Sequence, residues 1–149
     1  MELALEQAKE AQISGEVPVG AVFVDNGEVI SASGNQPIGL DDPTAHAEIL
    51  ALRKAAEIKG NYRLGGSLYV TLEPCTMCFG ALIHARVERV FYATEEQRAG
   101  VLVSQLQLAN TDFYNHQIQV AGGLLAEESA ALLRKFFSSR RALNRMASE

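Results

Sequence analysis

The sequence contains only two cysteines, and none of its apolar runs is long enough to span a bilayer. It also has no basic segment followed by an apolar one at its start, so we expect neither a membrane segment nor a secretory signal. Two cysteines in a chain without a leader are typical of the reducing cytoplasm, where thiols bind metal rather than form a disulfide. We therefore expect a cytoplasmic protein whose cysteines are metal ligands.

Basic residues are outnumbered as well. There are 13 lysines and arginines against 18 acidic residues, which gives a formal net charge of −5 at pH 7. This balance argues against a protein that coats nucleic acid through an overall positive field, but it does not exclude a local basic patch. The length of 149 residues and the hydrophobic fraction of 48% predict one domain with a proper core. We find no repeat, linker or low-complexity tract in the sequence.

Two short segments carry the strongest chemical signal. Residues 44–48 read Thr-Ala-His-Ala-Glu, and residues 73–78 read Glu-Pro-Cys-Thr-Met-Cys. Together they offer three good zinc ligands, which are His46, Cys75 and Cys78. A structural zinc site usually has four protein ligands, whereas a catalytic site has three and keeps one position for water. Because the sequence has no third cysteine, a closed site of four cysteines is excluded.

Both segments are predicted to open helices, so the ligands should lie at helix N-termini, which favour thiolates. Cys75 and Cys78 are about 60° apart around a helix, and both thiols can therefore face one ion. Zinc lowers the pKa of bound water toward roughly 7, and a carboxylate such as Glu48 can then carry the proton. Glu48 is about 200° around the helix from His46, so the two side chains can meet only at a point beyond its first turn.

Other interpretations of these residues explain less. Cys-x-x-Cys alone also occurs in structural zinc clips and in redox proteins, but a redox role leaves His46 and Glu48 unexplained. His-x-Glu followed by Pro-Cys-x-x-Cys instead resembles the signature of the zinc deaminases. We expect His84 and His116 to be packing, capping or loop residues rather than metal ligands.

The pattern of apolar residues predicts alternating helices and strands. Helices are expected at 2–15, 45–58, 76–85 and 126–145, with a short one around 101–108, and strands at 18–24, 28–33, 67–72, 88–93 and 117–120. Asn26-Gly27 indicates a hairpin, which makes the first two strands antiparallel, and the later crossovers favour parallel pairs. This order predicts a three-layer α/β/α sandwich with a five-stranded mixed sheet.

Some positions in these elements have more than one interpretation. Thr44 is a plausible N-cap of the second helix. Gly20, inside the first strand, indicates close approach of either the first helix or a ligand. Asn35 lies in the loop before the metal segment, where it either forms a turn or binds a purine edge. The last helix is expected to bury Leu132, Leu133, Phe136 and Phe137.

The last helix also holds a basic cluster in an otherwise acidic chain. The cluster consists of Arg134, Lys135, Arg140, Arg141 and Arg145. Cations near a helix C-terminus suit the helix dipole, and on composition alone an ordinary solvated face is the simpler explanation. The functional alternative is a contact with a phosphate backbone.

Taken together, these segments resemble the bacterial tRNA-specific adenosine deaminases of the cytidine deaminase-like superfamily. The resemblance covers nearly the whole chain and is carried by residues 16–22, 35–39, 42–49, 68–78, 80–84 and 123–128, by Phe136-Phe137 and by Arg140-Arg141. One region departs from it. Residues 95–100 read Glu-Glu-Gln-Arg-Ala-Gly where the family usually has a stretch like Asp-Ala-Lys-Thr-Gly. Glu96 stands where the family has its Asp, and Arg98 where it has its Lys.

The resemblance implies a single zinc-dependent hydrolytic deaminase domain over residues 1–149, with one Zn²⁺ per subunit held by His46, Cys75 and Cys78. Glu48 would be the catalytic proton carrier while hydroxide attacks C6 of adenine, ammonia leaves and inosine remains. The substrate would be the wobble adenosine of a tRNA anticodon stem-loop, bound across a homodimer. The implied substrate-binding residues are Asn35, the Ala47 backbone, Glu96, Phe137, Arg140 and Arg141.

Two alternatives remain at this point. The altered loop at 95–103 and the acidic balance are compatible with a deaminase of a free base or nucleoside such as guanine or cytosine. A zinc-stabilised binding protein without catalysis is the third possibility, but it gives Glu48 no role.

Overall fold

The computed structural model describes residues 1–148, and a five-stranded mixed sheet forms its centre. The strands are β1 (Gly20–Asp25), β2 (Glu28–Gly34), β3 (Ser67–Leu72), β4 (Arg89–Thr94) and β5 (Gln119–Gly122). The helices are α1 (Glu2–Ile13), α2 (Pro37–Leu40), α3 (Ala47–Lys59), α4 (Thr76–His84) and α5 (Ala126–Ala147). A single 3₁₀ turn covers Leu108–Asn110.

The strand order in the sheet is β2-β1-β3-β4-β5. β1 pairs antiparallel with both β2 and β3, whereas β3–β4 and β4–β5 are parallel pairs. The hairpin between β1 and β2 turns at Asn26 and Gly27, which both have positive φ, as a tight two-residue hairpin turn requires. The predicted mixed sheet and its antiparallel first pair are confirmed.

Helices cover the two faces of the sheet. α1 and α5 contact each other and pack on one face, while α3 and α4 contact each other on the opposite side. The main core lies between the sheet and the α3–α4 layer and includes Phe23, Leu68, Val70, Phe79 and Leu82, all fully buried. This is the three-layer arrangement predicted from the sequence. Among the described residues, no helix combines the length and apolar character needed to cross a bilayer.

Gly20 is explained by helix packing. A Cβ atom at this position would lie 1.9 Å from the Ala4 carbonyl oxygen and 2.7 Å from the Ala8 nitrogen. Glycine therefore lets α1 lie directly on β1. Of the two interpretations of Gly20, the close approach of the first helix is the one observed.

Three predictions of local structure were wrong. α3 begins after His46, so Thr44 is not its N-cap; the Thr44 N–H and hydroxyl instead donate to Asp42 Oδ1. The loop before the metal segment contains the one-turn helix α2. The predicted helix at 101–108 is a series of turns that closes around Glu73.

The ends of the chain differ in detail from the prediction. α1 ends at Ile13 rather than near Gly15, and β5 lies two residues later than expected and includes Gly122. In α5, Phe136 is buried, but Phe137 is 44% exposed and lies on the side of a groove, so the prediction that it is buried was wrong.

Candidate metal centre and substrate groove

The three candidate ligands lie at the N-termini of two helices that face each other. His46 occupies the N-cap position of α3 and Cys75 that of α4, both with extended backbone, and Cys78 follows in the first turn of α4. At these positions helix N–H groups stabilise negative charge, which favours thiolates. Tertiary packing of α3 against α4 thus brings together donors that are 29 and 32 residues apart in the chain.

The distances between the donors fit a tetrahedral zinc ion. His46 Nδ1 lies 3.7 Å from Cys75 Sγ and 3.5 Å from Cys78 Sγ. Zinc–sulfur lengths of about 2.3 Å and zinc–nitrogen lengths of about 2.0–2.1 Å at a tetrahedral angle separate the two donors by roughly 3.6 Å. Within residues 1–148, these three residues form the one group of metal-type donors that approach closely enough to share an ion. Nδ1 is therefore the imidazole nitrogen on the metal side.

The protonation of the three donors is strongly coupled. The Cys78 thiol donates to Cys75, and this bond, together with His46, lowers the pKa of Cys75 to about 4. The same contact with Cys75, burial and the nearby Glu48 carboxylate raise the pKa of Cys78. The pKa of His46 is also raised, mainly by its bond to Cys75. The donors hold protons between them, and a bound dication would replace those protons.

Glu48 lies in the first turn of α3 and is 4% exposed. Burial raises its pKa, while the neighbouring Cys78 side chain and its own backbone N–H partly offset the rise. A carboxylate whose pKa is raised toward neutrality can both accept and return a proton. Glu48 and His46 both line one cavity, although they are about 200° apart around an ideal helix.

Asn35 and Ala47 are joined by a hydrogen bond. The Asn35 side-chain oxygen accepts the Ala47 N–H at 2.8 Å and so satisfies the first turn of α3. With Oδ1 engaged, Asn35 can offer a ligand its Nδ2 donor. The Ala47 N–H is already engaged and its side chain is fully buried, so this backbone contributes to the site by holding Asn35 in place.

A cavity of about 220 Å³ opens above the donors. Its walls include Asn35, His46, Glu48, Cys75, Glu96 and Ala99. A larger groove of about 410 Å³ shares Val17, Leu72 and Glu96 with this cavity and extends it toward α5. The cavity above the metal donors and the groove beside α5 are therefore neighbours that share part of their lining.

Of the four predicted substrate-binding residues after β4, three line this groove and one does not. Glu96, Phe137 and Arg141 line it. Arg140 points elsewhere, because its guanidinium donates to the Gly15 carbonyl at 2.5 Å and stacks over the Phe136 ring at 5.1 Å. Arg140 thus joins α5 to the end of α1, whereas Arg141 faces the groove.

The two remaining histidines have other surroundings. His116 Nε2 lies 2.7 Å from the Val87 carbonyl oxygen, and His84 borders an apolar cleft with Ile49, Leu52 and Tyr62. Their expected roles in packing and loops agree with these contacts.

Two buried glutamates beside the cavity were missed by the sequence analysis. Glu16 and Glu73 are each 2% exposed, and each accepts backbone N–H groups from a loop that borders the site. Burial alone would raise the pKa of Glu73, but hydrogen bonds from Ser104 and from the N–H groups of residues 102–104 outweigh it and lower that pKa. An acidic residue directly between an apolar strand and Pro-Cys was the one available signal for Glu73.

A known family model matches the part of the chain that contains the three metal donors. The model of the cytidine and deoxycytidylate deaminase zinc-binding region matches residues 1–94. The tRNA-specific adenosine deaminase of Haemophilus influenzae is 46% identical over 143 residues, which cover 95% of this chain and 83% of that protein. The tRNA-specific adenosine deaminase of Bacillus subtilis is 41% identical over 142 residues, which cover 95% of this chain and 88% of that protein.

Comparison with solved structures points to the same family as comparison with sequences. A structure from a study of A-to-I editing by tRNA:A34 deaminases at the wobble position superposes with a TM-score of 0.86 at 46% identity, covering 89% of this chain and 97% of that one. The guanine deaminase of Nitrosomonas europaea superposes with a TM-score of 0.73 at 26% identity, covering 91% of this chain and 81% of that one. Both the sequence and the structure are nearer to the first.

Proposed function

From the premise that this chain belongs to the tRNA-specific adenosine deaminases of the cytidine and deoxycytidylate deaminase zinc-binding family, we propose that it deaminates the wobble adenosine of a tRNA anticodon to inosine. The reaction consumes one water and releases one ammonia. A carbon–oxygen bond forms at C6 of adenine, and the bond from C6 to the exocyclic nitrogen breaks. No oxidant or reductant is needed.

His46, Cys75 and Cys78 are proposed to hold one zinc ion, in agreement with the donor distances of 3.5 and 3.7 Å from His46 Nδ1. When bound, the ion would supply Lewis acidity, which would lower the pKa of a coordinated water to roughly 7. Glu48 accepts the proton of the attacking water and returns it to the departing amino group, and its burial suits both roles. Asn35, fixed by the Ala47 N–H, orients the purine through its Nδ2 donor.

The shared lining of cavity and groove is the observation that carries the choice of substrate. A free base would need only the space above the donors. The groove extends that space past Glu96 to Phe137 and Arg141, which suit a stacked base and a phosphate respectively. An anticodon loop can splay one nucleotide into such a cavity while its neighbours occupy the groove.

Deamination of a free base is the weaker alternative. The curated tRNA deaminases described above are 41–46% identical to this chain, whereas the guanine deaminase structure is 26% identical. The acidic overall balance does not decide against RNA, because Arg98 and Arg141 line the groove and offset the two acidic residues there, Glu95 and Glu96.

We also propose that the protein is cytoplasmic and forms a homodimer. An apolar cleft beside α3 and α4, with Tyr62 66% exposed at its edge, supports the dimer. Analytical ultracentrifugation tests this: a dimer mass is expected, and the variant Tyr62→Glu should shift it toward the monomer. A monomer mass for the unaltered protein at micromolar concentration would refute the dimer.

The substrate is tested by direct comparison of RNA and free bases. Zinc-loaded protein is incubated with an anticodon stem-loop that carries adenosine at the wobble position, and inosine is measured by mass spectrometry of the nucleosides. Ammonia release is measured in parallel from adenine, guanine and cytosine. We expect inosine only in the stem-loop, and a matched stem-loop with guanosine at the wobble position should give none. Reaction of the free bases alone would overturn the proposal.

The groove is tested by comparing two adjacent arginines. Arg141→Glu should weaken stem-loop binding and reduce the slope of log affinity against log salt by about 1, as loss of one phosphate contact predicts. Arg140→Glu is the matched control: its guanidinium is engaged by Gly15, so it should lower stability with a smaller change in salt slope. Equal slopes of log affinity against log salt for Arg141→Glu and the unaltered protein would exclude this groove from the RNA interface.

A further inference from the structure

A buried carboxylate lies directly beside the metal centre. Glu73 is 2% exposed and stands between the end of β3 and Pro74-Cys75. Its backbone N–H donates to the Thr94 carbonyl at 2.9 Å, which fixes the main chain at this point. Its side chain does not contact the metal donors in any hydrogen bond that we observe within residues 1–148; it points instead toward the loop after β4.

The loop of residues 95–104 is organised around this carboxylate. The N–H groups of Leu102, Val103 and Ser104 donate to Glu73 Oε2 at 2.9–3.1 Å. The Glu96 N–H and the Ser104 hydroxyl donate to Oε1 at 3.2 and 2.5 Å. A carboxylate that accepts this many bonds can stay ionised although buried.

Two further contacts show how closely the loop fits. A Cβ atom at Gly100 would lie 2.3 Å from the Glu73 carboxyl carbon, so glycine is needed for the loop to pass the side chain. The Val101 N–H donates to the Pro74 carbonyl at 3.1 Å, which ties the loop to the main chain one residue before Cys75. The loop thus gains from Glu73 the partners that a helix or strand would otherwise give its backbone.

We propose that Glu73 is a positioning residue that sets the shape of the 95–104 loop and thereby the substrate-side wall of the active site. The loop residues Glu96 and Ala99 line the cavity that contains His46, Glu48 and Cys75. Glu96 also borders the groove beside Arg98. The carboxylate, whose residue also lines this cavity, therefore determines where these side chains meet the nucleotides through its hydrogen bonds to the loop. The inference deepens the proposed function and rests on it for the identity of the substrate.

Glu73→Gln is the direct test, because it keeps the size of the side chain but replaces one acceptor oxygen with an NH₂ group that faces N–H donors. Hydrogen exchange of the Leu102–Ser104 amides should become about 10- to 100-fold faster, the ratio expected from loss of hydrogen bonds to a charged group. With the zinc-loaded protein, KM for the wobble-adenosine stem-loop should rise by about tenfold with kcat changed by less than about threefold, since the proton carrier and the metal donors remain.

Two other variants separate positioning from a loss of stability. Ser104→Ala removes only the hydroxyl bond to Glu73 and should give a smaller change of the same kind. Ser31→Ala is the matched control, because the buried Ser31 hydroxyl donates to the Ala51 carbonyl at 2.6 Å, away from the loop. It should lower the melting temperature comparably to Ser104→Ala and leave the KM and the exchange of residues 102–104 unchanged. If Glu73→Gln does not fold, the Ser104→Ala and Ser31→Ala pair decides alone.

The outcomes distinguish this inference from the proposed function. Unchanged exchange at residues 102–104, or a KM no higher than that of Ser31→Ala, would overturn the positioning role of Glu73. If the unaltered protein forms no inosine in the stem-loop, the proposed function fails, while the exchange measurement still tests whether Glu73 holds the loop. Zinc content of one ion per chain in every variant confirms that the metal centre is intact.

Discussion

The cavity above the metal donors has two walls that contain similar elements, but the loops of the two walls are stabilised by different numbers of hydrogen bonds. We call residues 35–48 the first wall and residues 72–104 the second. Each contributes a helix N-terminus with one or two metal donors, and the loop of each is bound by a buried glutamate, which for the first wall is Glu16, outside residues 35–48. On the first wall, Glu16 accepts the N–H groups of Ile38 and Gly39 at 3.0 and 3.2 Å. On the second, Glu73 accepts four N–H groups and a hydroxyl.

The difference follows from the backbone of each loop. The first loop contains the helical turn α2, whose own hydrogen bonds satisfy part of its main chain. The second loop is a longer run of turns, in which some N–H groups donate to backbone carbonyls and four donate to the Glu73 side chain. Where regular structure is missing, a buried carboxylate can replace it as the source of acceptors. The two walls also divide the chemistry, since Glu48 belongs to the first and both thiols belong to the second.

The largest effect on activity is expected from Glu48, the proposed proton carrier, which lies in the first wall. Glu48→Gln should reduce inosine formation by about 10²–10⁴-fold, the contribution of a general acid–base group, while zinc remains bound. Single-turnover rates and elemental analysis measure the two properties. Glu57→Gln, at an exposed position of the same helix, is the control and should retain the full rate. Normal turnover in Glu48→Gln would contradict the proposal that the first wall provides the proton carrier.

The next largest effect concerns the thiolates of the second wall. Cys75→Ser should weaken zinc binding by more than about 100-fold, because loss of groups that merely support a ligand already costs 10–100-fold. Competition with a coloured chelator measures the affinity, and activity should fall in parallel with zinc content. Met77→Leu changes a neighbouring side chain on the same helix and should bind zinc normally. Retained affinity in Cys75→Ser would exclude this residue as a ligand.

Asn35 allows its two roles on the first wall to be separated. Asn35→Asp keeps the acceptor for the Ala47 N–H but lacks the Nδ2 donor, so it should preserve stability and reduce kcat/KM by about 2- to 10-fold, as loss of one hydrogen bond predicts. Asn35→Ala also removes the cap and should cost about 0.5–2 kcal/mol of unfolding free energy. Denaturant titrations and kinetics on both variants test this. Equal activity of Asn35→Asp and the unaltered protein would remove Asn35 from substrate binding.

The smallest effect is expected from the glutamate of the first wall. Glu16→Gln should accelerate hydrogen exchange at Ile38 and Gly39, but it should change KM less than Glu73→Gln does, because α2 retains its own hydrogen bonds. Glu10→Gln, at an exposed position on α1, provides the control. A KM increase in Glu16→Gln as large as that in Glu73→Gln would show that both loops depend equally on their buried glutamates.

Sequence patterns predicted the sheet, the layer order and the metal donors because these depend on short-range rules. Asn-Gly between two apolar runs forms a hairpin, and cysteines three residues apart share one side of a helix turn. The patterns were wrong where side chains compete for backbone groups or where packing sets the exposure of a residue. Residues 101–108 looked helical but turn around Glu73, and Thr44 is engaged by Asp42 before it can cap α3. Phe137 fits the apolar stripe of α5, yet the groove leaves it exposed.

The amino-acid sequence by itself predicted the chemistry: a histidine, two thiols and a carboxylate at the starts of two helices match the zinc deaminase signature. The tertiary structure alone decided how that chemistry meets a substrate. It oriented Asn35 through the Ala47 N–H, turned Arg140 away to Gly15, left Arg141 at the groove and wrapped the 95–104 loop around Glu73. The physical reason is that each of these hydrogen bonds joins groups far apart in the chain, and local residue patterns carry no information about such pairs until the sheet and helices have packed.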